Sequence, residues 1–363
     1  MNDYQRLGDY IREVNIRNKN LKVTNPMGIN IEKCFMPSVA NVIGTDISAY
    51  KMVGEMQFAC NLMHVGRDEK IPMAMHKGEQ PIIVSPAYFV FEISKPKELL
   101  SDYLMIWFRR PEFDRKAWFY TDADVRGGMS KDALLDMTFP VPSIDHQHEI
   151  VEEYETLSRR IRLNEQMIEK LEATAQALYR KMFIDDIDKE NLPEGWRMGK
   201  IGDMFELQRG FDLPSQERTE GIYPIYASTG IAEYHSEYKV EPPCVITGRS
   251  GTIGEVFYVD KQSWPLNTTL WVKDFKNTPP FFVYYKLNEL ELGKTVSGFA
   301  AVPTLNRNDV HMMKSLIPPI DLLAEFEKEM NVIHHQKSIK EQENSKLFEL
   351  QSLLLAKLGN LKQ

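Results

Sequence analysis

Cysteine is scarce in this sequence, and long apolar runs are missing. The three cysteines, Cys34, Cys60 and Cys244, lie far apart and form no Cys-x-x-Cys pair. We therefore expect buried, reduced thiols, and neither a disulfide framework nor a zinc site. No apolar stretch approaches the roughly 20 residues that cross a bilayer, and the N-terminus has no basic region followed by an apolar one. These absences predict a cytoplasmic protein without a membrane segment.

An excess of positive charge is also missing. The 44 lysines and arginines are outnumbered by 52 aspartates and glutamates, which gives a net charge of −8. That balance alone argues weakly against a nucleic-acid-binding protein. The negative excess is concentrated in residues 141–190, which hold 7 basic and 12 acidic side chains. A locally basic surface elsewhere on the molecule is compatible with this distribution.

Motifs that would indicate catalysis are incomplete. Residues 293–295 read Gly-Lys-Thr, but Asn288 replaces the first glycine of a phosphate-binding loop. Residues 278–281 read Thr-Pro-Pro-Phe, with threonine where amino-methyltransferases have asparagine or aspartate. Residues 114–116 contain the Asp-x-Lys fragment of metal-dependent nucleases, without an identifiable upstream carboxylate. The sequence therefore does not support catalysis, and a stand-alone methyltransferase or nuclease fragment is kept only as the alternative.

An internal repeat organises the chain. With a shift of 176 residues, residues 141–183 align with residues 317–359 without a gap and share eleven identities over 43 positions. Both segments begin with the pattern Pro-x-Ile-Asp. Two amphipathic helices of similar composition are not expected to share a gapless match and the same starting pattern by chance. Length and this repeat together predict at least two domains.

The segments that precede these helices also match, although more weakly. Leu-Gly-Asp at 7–9 corresponds to Ile-Gly-Asp at 201–203, and Val-Gly-Arg at 65–67 corresponds to Thr-Gly-Arg at 247–249. The second match makes Arg67 the counterpart of Arg249. The offset between the copies decreases along the chain, so the first copy carries extra loop residues at two places. The chain is thus a globular copy and a helix, each repeated once.

Both globular copies are predicted to mix strands and helices. In the first copy, residues 81–93 are typical of two strands with a turn at Pro86, and residues 98–110 are typical of a helix. In the second copy, residues 244–259 indicate a strand, a glycine-rich turn and a strand, and residues 280–289 indicate a helix. The order of elements favours a mixed α and β domain in each copy.

The repeated segments have the spacing of long amphipathic helices. Residues 147–183 lack proline and glycine and carry apolar side chains at alternating intervals of three and four, with Asn164 as a polar break. Residues 322–358 keep this seam less regularly. Four polar residues interrupt the second seam: Lys337, Lys340, Asn344 and Gln351. A helix of about 37 residues is about 55 Å long, too long for one domain to cover, so we predict that the two helices pair.

The predicted fold is α+β, with two similar mixed α/β domains separated by two long antiparallel helices that form a coiled coil, in a pseudo-twofold internal repeat. The predicted divisions are a first domain at 1–140, a first helix at 141–184, a second domain at 191–316 and a second helix at 317–363. We assign these residues to the helix seam and partner interface: Ile150, Tyr154, Leu157, Ile161, Asn164, Ile168, Leu171, Leu178, Phe326, Met330, Ile333, Leu347, Leu354 and Leu358.

Three motifs in the second half of the chain point to one known family. Leu-Pro-Glu-Gly-Trp at 192–196, followed by Ile-Gly-Asp at 201–203, is similar to the opening of the family's target recognition domain. Residues 245–254 contain its Gly-Arg-x-Gly-x-Ile-Gly turn, and residues 308–310 with 317–320 are similar to its domain exit. Together with the repeated layout, these motifs resemble the specificity subunit of Type I restriction–modification enzymes.

This resemblance implies that each globular copy is a target recognition domain that reads one half of a bipartite DNA target. The long helices would set the spacer between the halves and dock the methylation subunits, of which two copies are expected. The implied partners are double-stranded DNA, the Type I methylation subunits and the Type I restriction subunit, with no membrane. The chain itself would be non-catalytic and bind no cofactor, because S-adenosylmethionine, ATP and Mg are used by the partner subunits.

Residue type suggests which side chains contact DNA in such a subunit. Arg249 is a candidate for guanine or phosphate, and the backbone of Ser250, Gly251 and Thr252 for close approach to the duplex. Further candidates in the second copy are Arg209, Tyr226, Ser228, Thr229, Asn267 and Thr268. In the first copy, an Asp-Glu-Lys sequence replaces the glycine turn after Arg67. The candidates there are Arg17, Lys19, Arg67, Lys70 and Lys77.

Overall fold

The structure is a computed structural model that describes residues 4–38, 46–63, 65–121, 127–295 and 304–359. The chain divides into two compact units. Unit 1 consists of Met1–Asn164 and Glu343–Gln363, and unit 2 consists of Glu165–Gln342. No described helix combines the length and the apolar character needed to span a membrane.

Unit 1 contains short strands arranged in two four-stranded sheets and one pair. Its described strands are β1 (Tyr4–Arg6), β2 (Ile11–Glu13), β3 (Pro26–Ile29), β4 (Phe35–Pro37), β5 (Lys51–Val53), β6 (Phe58–Cys60), β7 (Met73–Met75), β8 (Ile82–Val84), β9 (Phe89–Ile93) and β10 (Thr138–Pro140). Its described helices are α1 (Val65–Asp68), α2 (Ser101–Phe108), α3 (Pro111–Phe119), α4 (Lys131–Asp136) and the first part of α5 (Ile144–Phe183). The sheet orders are β2-β9-β6-β7 and β4-β3-β8-β5, and β1 pairs with β10.

Unit 2 contains a four-stranded sheet, a three-stranded sheet and one pair. Its described strands are β11 (Arg197–Lys200), β12 (Glu206–Arg209), β13 (Tyr223–Ala227), β14 (Gly230–His235), β15 (Cys244–Gly248), β16 (Val256–Val259), β17 (Trp264–Pro265), β18 (Thr269–Asp274) and β19 (Lys314–Ile317). Its described helices, besides the end of α5, are α6 (Ile201–Met204), α7 (Pro280–Glu289), α8 (Leu292–Thr295), α9 (Arg307–Met312) and the first part of α10 (Ile320–Leu358). The sheet orders are β12-β18-β15-β16 and β14-β13-β17, and β11 pairs with β19.

The two units share one arrangement of strands, to which unit 1 adds β5 at the edge of its second sheet. The antiparallel sheet β2-β9-β6-β7 of unit 1 corresponds to β12-β18-β15-β16 of unit 2. The second sheet is built in both units around a parallel pair, β3 with β8 and β13 with β17. An antiparallel pair closes each unit, β1 with β10 and β11 with β19. The predicted internal repeat and the predicted α+β fold class are therefore confirmed.

Each unit buries an apolar core against its antiparallel sheet. In unit 1, the rings of Phe58 and Phe91 stack with centroids 5.0 Å apart, and α2 buries six consecutive side chains from Tyr103 to Phe108. A helix that is apolar on all sides must be covered on all sides. In unit 2, β15 is buried along its whole length, and α7 begins with Pro280 at its first position, where a missing N–H costs nothing.

Most predicted elements lie where the sequence placed them, and one helix is shorter than predicted. Strands β8, β9, β15 and β16 and helix α7 fall inside the predicted segments. Helix α2, however, begins at Ser101 instead of Glu98. The amide of Gln147 on α5 explains this, because it donates to the carbonyl of Glu98 at 2.8 Å and accepts from the N–H of Leu100 at 2.9 Å. These bonds hold the preceding backbone in a turn.

The two long helices run antiparallel within unit 1. Asn164 Nδ2 donates to Asn344 Oδ1 at 2.9 Å, and both side chains are buried. Gln351 Nε2 donates to Ser158 Oγ at 2.8 Å. Relative to the Asn164–Asn344 pair, this contact lies earlier in α5 and later in α10, as an antiparallel arrangement requires. Arg160 adds an ion pair with Glu343 at 2.6 Å. Two of the polar residues that interrupt the second seam, Asn344 and Gln351, are thus paired with polar residues of the first helix.

The same antiparallel pairing occurs within unit 2. Lys337 of α10 makes an ion pair with Glu172 of α5 at 2.5 Å. Further along α5, the Phe183 ring lies 5.1 Å from the ring of Phe326 in an edge-to-face arrangement. All fourteen predicted seam side chains are buried or half-buried. Some of them, such as Ile150 and Leu358 in unit 1, belong to the core of the globular part.

Candidate nucleic-acid interface

A glycine-rich turn links β15 to β16 in unit 2. The N–H of Gly248 bonds the carbonyl of Glu255 at 2.9 Å, and the N–H of Gly254 bonds the carbonyl of Gly248 at 3.1 Å, which closes the turn. Gly251 and Gly254 have φ angles of +81° and +87°. A Cβ atom on Gly254 would lie 2.6 Å from the backbone nitrogen of Gly293. Glycine is therefore required at position 254 by both conformation and space.

Two other loops are bonded to each other beside this turn. After β12, the N–H of Phe211 donates to the carbonyl of Pro265 at 2.8 Å, and the N–H of Asn267 donates back to the carbonyl of Phe211 at 3.0 Å. The N–H of Arg249 joins the turn to the same segment by bonding the carbonyl of Thr268 at 2.9 Å. Three strand-end loops thus form one backbone-bonded surface in unit 2.

This surface brings three predicted DNA-contacting side chains together with one carboxylate. The Asn267 amide donates to Asp212 Oδ1, and Arg209 Nη2 lies 3.4 Å from the same oxygen. Arg249 Nη1 lies 3.5 Å from the main-chain carbonyl oxygen of Asn267, at the long limit of a hydrogen bond. The guanidinium groups of Arg209 and Arg249 and the Asn267 amide offer donors of the kind that bind base edges and phosphates.

A groove of about 1000 Å³ runs across these loops. Its walls include four cations, namely Arg209, Arg249, Lys273 and Arg307, and two carboxylates, Glu206 and Asp212. We name this set of residues the unit 2 groove. Lys273 and Arg307 were not predicted from the sequence; Lys273 is one of two exposed residues at the end of β18. The groove is locally basic despite the acidic chain.

The remaining candidates of the second copy have mixed surroundings. Ser228 is buried, and its Oγ lies 3.3 Å from where a Cβ atom on Gly251 would be, so it packs beneath the turn. Thr229 and Thr252 are exposed, and Ser250 bonds the carbonyl of Thr268 at 3.2 Å. The Thr268 Oγ1 atom is buried. Tyr226 packs beside Phe257, and burial raises the pKa of its hydroxyl to about 12. The DNA-contact predictions for these residues remain predictions.

The structure corrects the predicted equivalence of Arg67 and Arg249. In unit 2, the carbonyl of Arg249 accepts the N–H of Leu305 at 2.8 Å. The corresponding bond in unit 1 runs from the N–H of Met129 to the carbonyl of Leu62 at 2.9 Å. Leu62 therefore occupies the position of Arg249, and Arg67 lies five residues further on, in α1.

The neighbouring position supports this corrected alignment. Gly248 bonds Glu255 across the turn at 2.9 Å, and Asn61 bonds Pro72 in the same way at 2.9 Å. The connection from β6 to β7 is longer than its counterpart and contains α1, so the Gly-Arg match in the sequence falls on a helix and not at the strand end. Unit 1 therefore has no arginine at the place where unit 2 has Arg249.

The candidate cations of the first copy are dispersed and mostly compensated. Arg67 bonds Asp68, and Lys70 lies 3.9 Å from Glu32. Lys77 makes two ion pairs, with Asp102 at 2.7 Å and Glu155 at 2.9 Å. Arg17 donates to the carbonyl of Ala49 at 2.6 Å, and Lys19 is exposed. Among the described residues of unit 1, these cations do not line one common groove, whereas Arg209 and Arg249 do so in unit 2.

The fragments of enzyme motifs have structural partners. Asp114 is buried and accepts from Lys33 Nζ at 2.7 Å and from the N–H of Ile71 at 3.2 Å. Thr278 is buried and donates to the carbonyl of Met204 at 2.8 Å. Lys294 lies on the four-residue helix α8 and pairs with Glu291 at 2.7 Å. Within the described ranges, no group of three or more His, Cys, Asp or Glu side chains is placed to hold a metal ion.

Comparison with known proteins finds a family model that matches the globular part of unit 2. Residues 193–322 match the family model of the Type I restriction modification DNA specificity domain. This part of the chain is similar to that DNA specificity domain. The match covers the whole globular part of unit 2 and therefore contains the unit 2 groove.

Two solved structures from Type I restriction–modification systems share the fold over nearly the whole chain. The S subunit of a Type I restriction–modification system from M. genitalium is 14% identical, with a TM-score of 0.66 over 98% of this chain and 95% of that chain. A structure described as showing complex assembly and conformational transition of the Type I R-M system is 15% identical, with a TM-score of 0.52 over 98% of this chain and 96% of that chain. Comparison with curated protein sequences gives no significant match.

Proposed function

We propose that this chain is the DNA-recognition subunit of a Type I restriction–modification complex, in which each unit reads one half of a bipartite target. The observation that carries this proposal is the recurrence of one reader topology in both units, one of which matches the DNA specificity domain. Two divergent copies of one reader recognise two different sequences. The target is therefore expected to be asymmetric.

The unit 2 groove provides the chemistry for reading one half of the target. Arg209 and Arg249 each present in this groove a planar fork that binds guanine O6 and N7. Asn267, which bonds Asp212 of the groove, presents an amide that binds adenine N6 and N7. Lys273 and Arg307 are placed on the same groove for phosphate contacts, which set the register of the protein on the duplex. The major groove is the side on which these patterns distinguish all four base pairs.

We propose that the long helices dock the methylation subunits and set the spacer between the two half-targets. In unit 1, α5 and α10 form a surface groove lined by Leu157, Leu350 and Leu354 and edged by three glutamates of α5. Leu353 and Phe348 are exposed on α10, although both are large and apolar. Exposed apolar side chains on a helix pair are typical of a surface that a partner covers.

The partners would supply what the acidic chain lacks. A net charge of −8 gives weak overall attraction to DNA, so we propose that two methylation subunits provide much of the phosphate binding. S-adenosylmethionine would be bound by those subunits, and ATP and Mg would be used through the restriction subunit. The chain would act in the cytoplasm as a non-catalytic subunit that holds no cofactor.

Methylome mapping tests the proposal. Cells that express the chain with its methylation subunit should carry a two-part methylated motif with an unread spacer. Replacing residues 1–140 by the first domain of another specificity subunit should change one half of that motif and leave the other half intact. Methyl transfer by the purified chain with S-adenosylmethionine alone, or a motif that ignores the replacement, would contradict it.

A further inference from the structure

A carboxylate lies among the cations of the unit 2 groove, where a DNA-binding surface has no electrostatic use for it. The side chain of Asp212 is 69% exposed and lies between Arg209 and Asn267. A negative charge on a surface that approaches phosphates weakens binding to every DNA sequence. A carboxylate retained at such a place needs a role in recognition that its removal would reveal.

We propose that Asp212, in the unit 2 groove, is a positioning residue that orients two base-reading side chains, Arg209 and Asn267; this inference rests on the proposed DNA-reading function. One oxygen of Asp212 accepts from the Asn267 amide and lies 3.4 Å from Arg209 Nη2. Arg249 Nη1 lies 3.5 Å from the main-chain carbonyl of Asn267, which the Asp212 side chain does not hold. Asp212 thus contacts two of the three side chains that present base-reading donors, Arg209 and Asn267.

The contact with Asp212 fixes which way the Asn267 amide faces. A carboxylate only accepts hydrogen bonds, so the amide nitrogen, and not the amide oxygen, must lie against it. The amide oxygen and the second N–H then remain for a base edge, which is the pair of groups that binds adenine. Without Asp212, the amide is free to rotate and to present the reverse pattern.

The ion pair with Arg209 acts in the same way on a longer side chain. Arginine loses several rotatable degrees of freedom when it binds a base, and a contact that restrains it beforehand reduces that loss. Such a contact raises the preference for the correct base without adding a contact to DNA. Specificity therefore gains more than general affinity does.

Removing the carboxylate leaves the loops intact. The backbone bonds of Phe211 with Pro265 and Asn267 hold the loop after β12 without help from the Asp212 side chain. The ion pair joins Asp212 and Arg209, and both side chains are more than half exposed. Exposed pairs of this kind contribute little to stability. Asp212→Asn and Asp212→Ala are therefore expected to fold like the wild type.

The test uses the full chain in complex with its methylation subunits and a pool of random-sequence duplex DNA. Wild-type complex should enrich a bipartite motif. For Asp212→Ala, the preference for the enriched sequence over a scrambled duplex should fall tenfold or more in the half read by unit 2, while binding to the scrambled duplex stays equal or rises. Asp212→Asn keeps an acceptor for Asn267 but loses the charge, so its preference should be intermediate.

Controls separate this inference from the function on which it rests. Asp260→Asn removes an exposed carboxylate at the other end of β16 from the turn and should leave the preference unchanged. If the wild-type complex enriches no motif, the proposed function fails. If wild type enriches a motif and Asp212→Ala keeps it, only the positioning role fails. A loss of preference confined to one cytosine position would mean that Asp212 itself accepts from cytosine N4. That result, or an equal loss of affinity for target and scrambled duplexes, would also overturn the positioning role.

Discussion

Arg249 illustrates how backbone geometry places a side chain for recognition. It follows the last residue of β15, and its own N–H and carbonyl are both bonded within unit 2, to Thr268 and Leu305. The backbone at this position is therefore fixed, and only the side chain remains to be oriented by DNA. Sequence matching alone assigned Arg67 as its counterpart, because a short Gly-Arg match carries no information on where a strand ends.

Arg249→Ala is expected to weaken binding of the target by about 1–3 kcal/mol if the side chain reads a base, with relaxed preference at one position. If it contacts phosphate, the loss should be similar for all sequences. Arg249→Lys is the matched variant, since it keeps the charge and loses the planar fork. Binding constants on target and scrambled duplexes distinguish the two cases. Unchanged affinity and unchanged preference would remove Arg249 from the interface.

His334 should make the stability of unit 2 depend on pH. It is stacked on Phe281 with ring centroids 4.2 Å apart, and burial lowers its pKa from 6.5 to about 4. The folded state therefore prefers the neutral ring, so this contribution to stability is complete above pH 6.5 and is lost as the pH falls from 6.5 towards 4. Burial raises the pKa of Glu327 to about 7, so the folded state favours its protonated carboxyl. Its contribution to stability is therefore lost as the pH rises from 4.5 to 7.

Thermal unfolding of wild type and His334→Gln at several pH values isolates the histidine contribution. The difference in Tm between the two proteins should shrink as the pH falls from 6.5 to 4, because only wild type must exclude a proton from a buried ring. Above pH 7 the difference should be constant. A Tm difference that does not change with pH would show that His334 is protonated as readily in the folded state as in the unfolded state.

At the scale of elements, the long helices were the best predicted part of the fold. Intervals of three and four identify an amphipathic helix without any knowledge of its partner, and α5 and α10 begin slightly before the periodic segments 147–183 and 322–358. Periodicity examines one helix at a time, however. It therefore counted Lys337, Asn344 and Gln351 as interruptions, although each bonds a polar residue of the other helix.

The buried pair Asn164 and Asn344 should behave as a unit. Asn164→Leu leaves the Asn344 amide buried without its partner, which is expected to cost about 1–3 kcal/mol. The double variant with Asn344→Leu removes both amides and should be close to wild type or more stable. Urea unfolding of the wild type, the two single variants and the double variant measures the coupling. A double variant whose loss equals the sum of the single losses would contradict the pairing.

The groove of unit 2 was only partly predictable. Donor-rich residues near strand ends are visible in the sequence, and Arg209, Arg249 and Asn267 do meet in the structure. The sequence does not show which loops lie side by side, so Asp212 and Arg307 were missed. Unit 1 was predicted least well, because its longer β6–β7 connection breaks the local alignment with unit 2.

At the scale of the whole molecule, the repeat predicts that the two long helices must match each other. A heptad inserted after Asn164 in α5 alone keeps the spacing of the seam but moves every later residue past its partner on α10. Assembly with the methylation subunits or the choice of spacer should then fail. A second heptad inserted in α10 should restore assembly and change the spacer. Normal activity of the single insertion with the original spacer would contradict this role of the helices.

The most direct test of bipartite reading is the methylated motif produced by a variant of one reader. Arg209→Ala with Arg249→Ala alters only the unit 2 groove, so cells expressing this variant with its methylation subunit should show a motif relaxed in one half, with the other half and the spacer unchanged. A single continuous motif in wild type, or a change in both halves of the variant motif, would contradict the account.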